Sequence, residues 1–196
     1  MARSGRTVDE ALAALLGYFP RYKKSLGAAA DALQPPRDLA ALDVVARLKG
    51  DAGTDFGVPS SIADFDSARL TNAALEAQVK LLRAAWKAFD NSAAQASGKT
   101  LSKGPRGGGR SLARIREHVA QADAAYISSL GAKPPPRGNS TWDAIQYALV
   151  EALHAKSRGE LPDVGPRGGQ RWPARYAIRR SAWHALDHAW EIEDRS

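Results

Sequence analysis

Four histidines occur in this chain, and the types and spacing of three of them could do metal chemistry. His184 and His188 stand one helical turn apart, so on a helix their Cβ atoms lie about 6 Å apart on one face. Two imidazoles so placed reach a single ion. His118, on a separate segment, would complete a three-nitrogen face and leave coordination positions open for water or substrate. The sequence contains no cysteine, so a metal site must use nitrogen and oxygen ligands, and disulfide and thiolate chemistry are excluded. Zinc is the first choice for an open three-histidine site; nickel, iron and manganese also suit imidazole. A water on such an ion loses a proton near neutral pH and can attack a carbonyl or phosphoryl group. From spacing alone a second reading stays open, in which the three are polar residues at a core edge held by ordinary hydrogen bonds. His154 is read as a surface histidine.

A metal-bound imidazole usually donates its other N–H to a carboxylate or carbonyl. Asp187, Glu191 and Asp123 stand near enough in sequence to serve; Glu193 and Asp194 are read as surface charge. A second chemical feature is a repeat. Gly104-Pro105-Arg106-Gly107-Gly108-Gly109-Arg110 returns as Gly165-Pro166-Arg167-Gly168-Gly169-Gln170-Arg171. Each copy precedes a segment carrying histidine. Glycines let backbone N–H groups converge on an anion, a helix N-terminus adds partial positive charge, and Arg106, Arg110, Arg167 and Arg171 add full charges. Neither copy matches a phosphate-binding fingerprint, which favours basic links that set how each helix is approached.

The elements that must position these residues read as helices. Residues 71–96 carry Leu75, Val79, Leu82, Trp86 and Phe89 in one stripe. Residues 110–130 carry Leu112, Ile115, Val119, Ala122 and Tyr126, and end at Gly131 before Pro134-Pro135-Pro136. A third helix starts near Ser140 or Thr141, buries Ile145, Leu149, Ala152 and Leu153, and stops at Gly159. A fourth opens at Pro173, a favoured first helical residue, and runs to about Asp194. His118 lies beside the inward row of the second helix, and His184 and His188 flank Trp183, Leu186 and Trp190 on the fourth. Upstream, residues 7–33 read as helix, with Thr7 and Glu10 at capping-box spacing and Pro20 bending or restarting it. Leu42–Leu48 reads as a short strand or helical turn, and residues 49–68 as an ordered loop.

Ile115–Tyr126 resembles the second helix of DinB-like proteins, and Arg179–Arg195, which contains Trp183-His184-Ala185-Leu186-Asp187-His188, resembles their last. That superfamily groups DinB and YfiT-type metal-dependent hydrolases with mycothiol- and bacillithiol-dependent transferases. The resemblance covers residues 70–196 and implies an all-α fold there, a four-helix bundle; residues 1–69 lie outside it and read as a mainly helical extension packed on the bundle. It implies one divalent metal on His118, His184 and His188. It also implies hydrolase or low-molecular-weight-thiol transferase activity on a small-molecule substrate.

Composition limits the alternatives. The chain is 44% hydrophobic and 25% charged, ordinary for a globular protein. No stretch approaches a membrane span and no secretory signal is seen, so the cytoplasm is the expected compartment. The net charge of +7 is uneven: residues 91–180 hold 15 basic and 6 acidic groups. That surplus raises a competing reading, a non-catalytic stress-response or nucleic-acid- or anion-binding helical module, although no nucleic-acid-binding signature accompanies it. The tryptophans Trp142, Trp172, Trp183 and Trp190 are read as core or dimer contacts, and a homodimer is compatible with the sequence.

Overall fold

The computed structural model describes residues 1–55, 57–103, 109–136, 138 and 140–196. Among them the fold is all-α: α1 (Val8–Leu26), a single turn α2 (Ala52–Asp55), α3 (Asn72–Gln95), α4 (Leu112–Leu130), α5 (Trp142–Arg158) and α6 (Ala174–Arg195). Among the described residues, one bridge between extended residues joins Val164 to Gln170 in the turn before α6. No described helix is long and apolar enough to cross a membrane.

The boundaries follow from local chemistry. Thr71, Ser111 and Thr141 each accept a hydrogen bond from the backbone N–H three residues on, at Ala74, Arg114 and Ala144. Each cap contributes about 1 kcal/mol. Gly131 and Gly159, at φ +100° and +78°, end α4 and α5 in the left-handed conformation that only glycine adopts without strain. Pro173 occupies the cap position of α6 with extended backbone, and the helix proper begins at Ala174.

α6 packs along α3 and also against α4, α4 packs on α5, and α1 lies on α3. The shared core includes Leu82, Trp86, Ile115, Ile127, Leu149, Leu153, Leu186 and Ile192. Because α6 has neighbours on more than one side, it buries Trp183, His184, Leu186, His188 and Trp190 together.

The first 69 residues are tied to α6. Arg21 bonds Glu193 and Asp194, and Trp190 Nε1 donates to Ser25 Oγ at 2.9 Å. The Arg3 guanidinium sits 3.7 Å from the centre of the Tyr18 ring and 4.6 Å from that of Trp190. Helix α1 runs through Pro20 to Leu26, so the proline does not restart it. Thr7 Oγ1 accepts from Glu10 N–H, while the Glu10 carboxylate accepts from Arg6 N–H. Leu42–Leu48 forms neither strand nor helical turn: no partner strand lies beside it among the described residues, and Val45 and Leu48 face solvent.

Candidate metal centre

His118 comes from the second turn of α4, and His184 and His188 from consecutive turns of α6. All three rings turn inward to one point: their candidate ligand atoms lie within 4.8 Å of one another. His184 Nε2 is 3.1 Å from His118 Nε2 and 3.1 Å from His188 Nε2. His184 and His188 are 6% and 9% exposed, and His118 is half-buried.

Three imidazole nitrogens converging in a buried place are a poor hydrogen-bond network, since each neutral ring has a single N–H to donate. They are a good ligand face. Metal–imidazole bonds of about 2.0–2.1 Å place neighbouring nitrogens about 2.9 Å apart on an octahedral face and about 3.3 Å apart on a tetrahedral edge. The two 3.1 Å separations fall between those limits.

Electrostatics keeps the His184 and His118 rings in the ligating form. Burial, then the neighbouring His188 and His118, then Arg180 and Arg110 push the His184 pKa down to about 2. Burial, with His188 and Arg110, also lowers that of His118. Neutral imidazole, the form that binds a metal, is therefore the resting state of both.

His188 is oriented from behind. Its Nδ1 lies 2.7 Å from Glu191 Oε2, one turn further along α6. The Glu191 carboxylate is held below its ordinary pKa, first by the His188 hydrogen bond and also by Arg195. An ionised Glu191 accepts the Nδ1 proton and so leaves the Nε2 lone pair of His188 facing the cluster. Arg195, 9% exposed, donates Nη1 to Glu191 Oε1, Nε to Ser102 O at 2.8 Å and Nη2 to Arg110 O at 3.0 Å. His184 Nδ1, Arg180 Nη1 and Trp183 Nε1 are buried without a hydrogen-bond partner among the described residues.

The other acidic candidates stand elsewhere. Asp187 pairs with Arg3 at 3.5 Å and is 46% exposed. Asp123 is buried on α4. It accepts Ser181 Oγ–H at 2.7 Å and Trp86 Nε1–H at 2.9 Å, and burial raises its pKa to about 7. Glu193 and Asp194, read as surface charge, hold Arg21. His154 lies 3.3 Å from Glu76 on another face.

Of the repeat arginines, Arg106 lies outside the described residues. The Arg110 backbone carbonyl receives Arg195. Arg167 is exposed on the turn of the second copy, and Arg171 Nη1 donates to Ser128 O at the end of α4. The tryptophans fill contacts inside the fold: Trp142 Nε1 bonds Asp90, and Trp172 lies against Tyr126 and Tyr176.

Sequence reading missed Arg195 and Ser181. Arg195 was within reach, because Glu191 and Arg195 are one helical turn apart. Ser181 was not, because its partner Asp123 lies on another helix. Comparison with family profiles, curated proteins and solved structures finds no match.

Proposed function

We propose that this chain is a metal-dependent enzyme of the DinB-like class, a hydrolase or a low-molecular-weight-thiol transferase. The observation that carries the reading is the convergence of His118, His184 and His188 from two helices: His184 Nε2 lies 3.1 Å from each of the other two Nε2 atoms, and one ligand atom of each residue lies within 4.8 Å of the others. A divalent ion held there by the three imidazoles would supply Lewis acidity to an incoming water or thiol and to the group under attack. The chain's own residues do the rest. Glu191 fixes the tautomer of His188, Arg195 fixes Glu191, and burial keeps His184 unprotonated. Arg110 and Arg180, close enough to depress the His184 pKa, add positive potential that draws an anionic substrate.

Elemental analysis of purified, tag-free protein tests this, comparing wild type with His184→Ala. About one metal per chain, lost in the variant, is the expected result. The loaded protein is then assayed for ester, amide and phosphoester hydrolysis and for transfer of mycothiol or bacillithiol to electrophiles. Failure of wild type to retain zinc, nickel, iron or manganese refutes the reading and leaves a helical binding module.

A further inference from the structure

A concave site opens at the other end of α6 from the histidines. It is a cleft of about 460 Å³ between the Asp66–Leu70 segment, the end of α5, the turn before α6 and the first residues of α6. Four cations line it: Arg69, Lys156, Arg171 and Arg175. Arg175 precedes His184 by nine residues, about 14 Å along the helix, so the cleft is separate from the histidine cluster.

The cleft's charges are unevenly compensated. Of its two carboxylates, Asp163 is taken by Lys156 Nζ at 2.8 Å. Asp66, with a fully buried side chain, has Oδ2 held by Arg179 and by Ala63 N–H, and its Oδ1 is buried without a hydrogen-bond partner among the described residues. Arg69 Nε donates to Ser157 O at 3.2 Å and Arg171 Nη1 to Ser128 O at 2.8 Å; these neutral carbonyls leave both positive charges uncancelled. The Nε atoms of Arg171 and Arg175 are buried and have no hydrogen-bond partner among the described residues. α6 starts here with Pro173 at its cap and no side-chain cap bond, so its positive end adds to the same field. The carbonyl end of α5 nearby is satisfied: Gly159 N–H and Glu160 N–H return to Lys156 O and Ala155 O.

From this geometry we infer that the cleft binds a small organic oxyanion, a phosphate monoester or its equivalent, through Arg69, Arg171 and Arg175 and the first N–H groups of α6. Guanidinium groups present planar forks that match the oxygens of such an anion. The concave shape and limited volume favour a small molecule over a nucleic-acid backbone, which needs a basic track along the surface.

The test is calorimetric titration of the full chain with phenyl phosphate and with inorganic phosphate. Wild type, Arg175→Gln, Arg69→Gln and His184→Ala are compared. Wild type is expected to saturate with a Kd in the millimolar range or below, and Arg175→Gln to weaken binding about 10–100-fold, the loss of one charged hydrogen bond. Arg69 is exposed, so Arg69→Gln leaves the fold intact and keeps the test valid if Arg175→Gln is unstable; it too must weaken binding. His184→Ala must bind as wild type does. Loss of binding in His184→Ala would move the anion to the histidines and overturn the assignment without touching the metal reading. No saturation below about 10 mM overturns it, as does equal binding in wild type and both arginine variants. Tighter, strongly salt-dependent binding of a duplex oligonucleotide at these same arginines would replace the small ligand with nucleic acid.

Discussion

Glu191→Gln isolates the support behind the histidine cluster, because the new side chain has nearly the same shape as the old one. The carboxylate has two jobs: Oε2 faces His188 Nδ1 at 2.7 Å and Oε1 takes Arg195 Nη1. Both partners are donors. A glutamine amide has one acceptor and one donor end, so either orientation sets its NH2 against a donor, His188 Nδ1–H or Arg195. Turned one way it favours the wrong His188 tautomer; turned the other it releases Arg195. Losing a carboxylate–histidine contact behind a metal ligand typically lowers metal affinity about 10–100-fold, or about 1.4–2.7 kcal/mol. The Glu191 side chain is 29% exposed, and solvent screening places the expected loss toward the lower end of that range. Competition for zinc with a chromophoric chelator measures it. Asp187→Asn serves as the control, since Asp187 pairs with Arg3 and stands off the cluster; it is expected to stay within about twofold of wild type. If Glu191→Gln binds zinc as wild type does, or Asp187→Asn loses as much, the orienting role of Glu191 is wrong.

Other perturbations have distinct readouts. Asp123, with its pKa raised to about 7 by burial, holds a proton in the fold that the unfolded chain releases near 4, so stability falls as pH rises through that window. Asp123→Asn removes this loss. In metal-free urea denaturation between about pH 5 and pH 8, the variant is expected to gain on wild type by up to a few kcal/mol as pH rises; parallel curves would refute the shift. His184 acts in the opposite sense: its folded pKa of about 2 means that acid below about 6.5 protonates only the unfolded imidazole and destabilises the fold. This is to be seen as a shallower acid limb in His184→Ala. A Cβ at Gly109, where φ is +146°, would overlap the Arg195 guanidinium, so Gly109→Ala is expected to displace Arg195 and weaken zinc binding as Glu191→Gln does, by the same competition assay. Leu82, fully buried between the helices, is expected to cost about 2–5 kcal/mol when truncated to alanine, read as a lowered midpoint of thermal or urea unfolding.

Much of the helical frame was legible because its signals are local. Thr71, Ser111 and Thr141 each cap the next helix with their own hydroxyl, and Gly131 and Gly159 end helices by a conformation that other residues avoid. The inward rows of α3 and α5 follow from period alone. Leu42–Leu48 misled for the complementary reason: a short apolar run states a preference for burial or pairing, but whether a partner lies beside it is decided by the rest of the chain. Pro20 does not restart α1, which stays helical on both sides of it although an interior proline removes one helical hydrogen bond and crowds the preceding turn. In the cluster, the His184–His188 spacing is local and was legible. His118 was legible too, from its place beside the inward row of its helix and from the family resemblance; that Asp123 is buried with Trp86 and Ser181 and that Asp187 turns to Arg3 are facts of packing between segments far apart in sequence.

The two Gly-Pro-Arg-Gly-Gly copies illustrate how identical residues take different work from their surroundings. In the second, Gly165 N–H donates to Gly169 O and Gly168 sits at φ +78°. The copy closes a tight turn and delivers Arg171 to the carbonyl end of α4 and to the basic cleft. The described end of the first copy does something else. Gly109 offers the lack of a side chain, and the Arg195 guanidinium occupies that space while bonding Arg110 O and Glu191. One copy therefore bears on the amino end of α6 and the other on its carboxyl end. A single helix, held at both ends by related loops, then carries a cationic cleft at its start and three converging imidazoles toward its finish. If an anion in the cleft altered how α6 sits against α4, it would also alter the His118–His184 spacing. Zinc affinity measured with and without saturating phenyl phosphate decides this: a changed affinity means that α6 couples the two sites, and an unchanged one means that it is a rigid strut between independent ones.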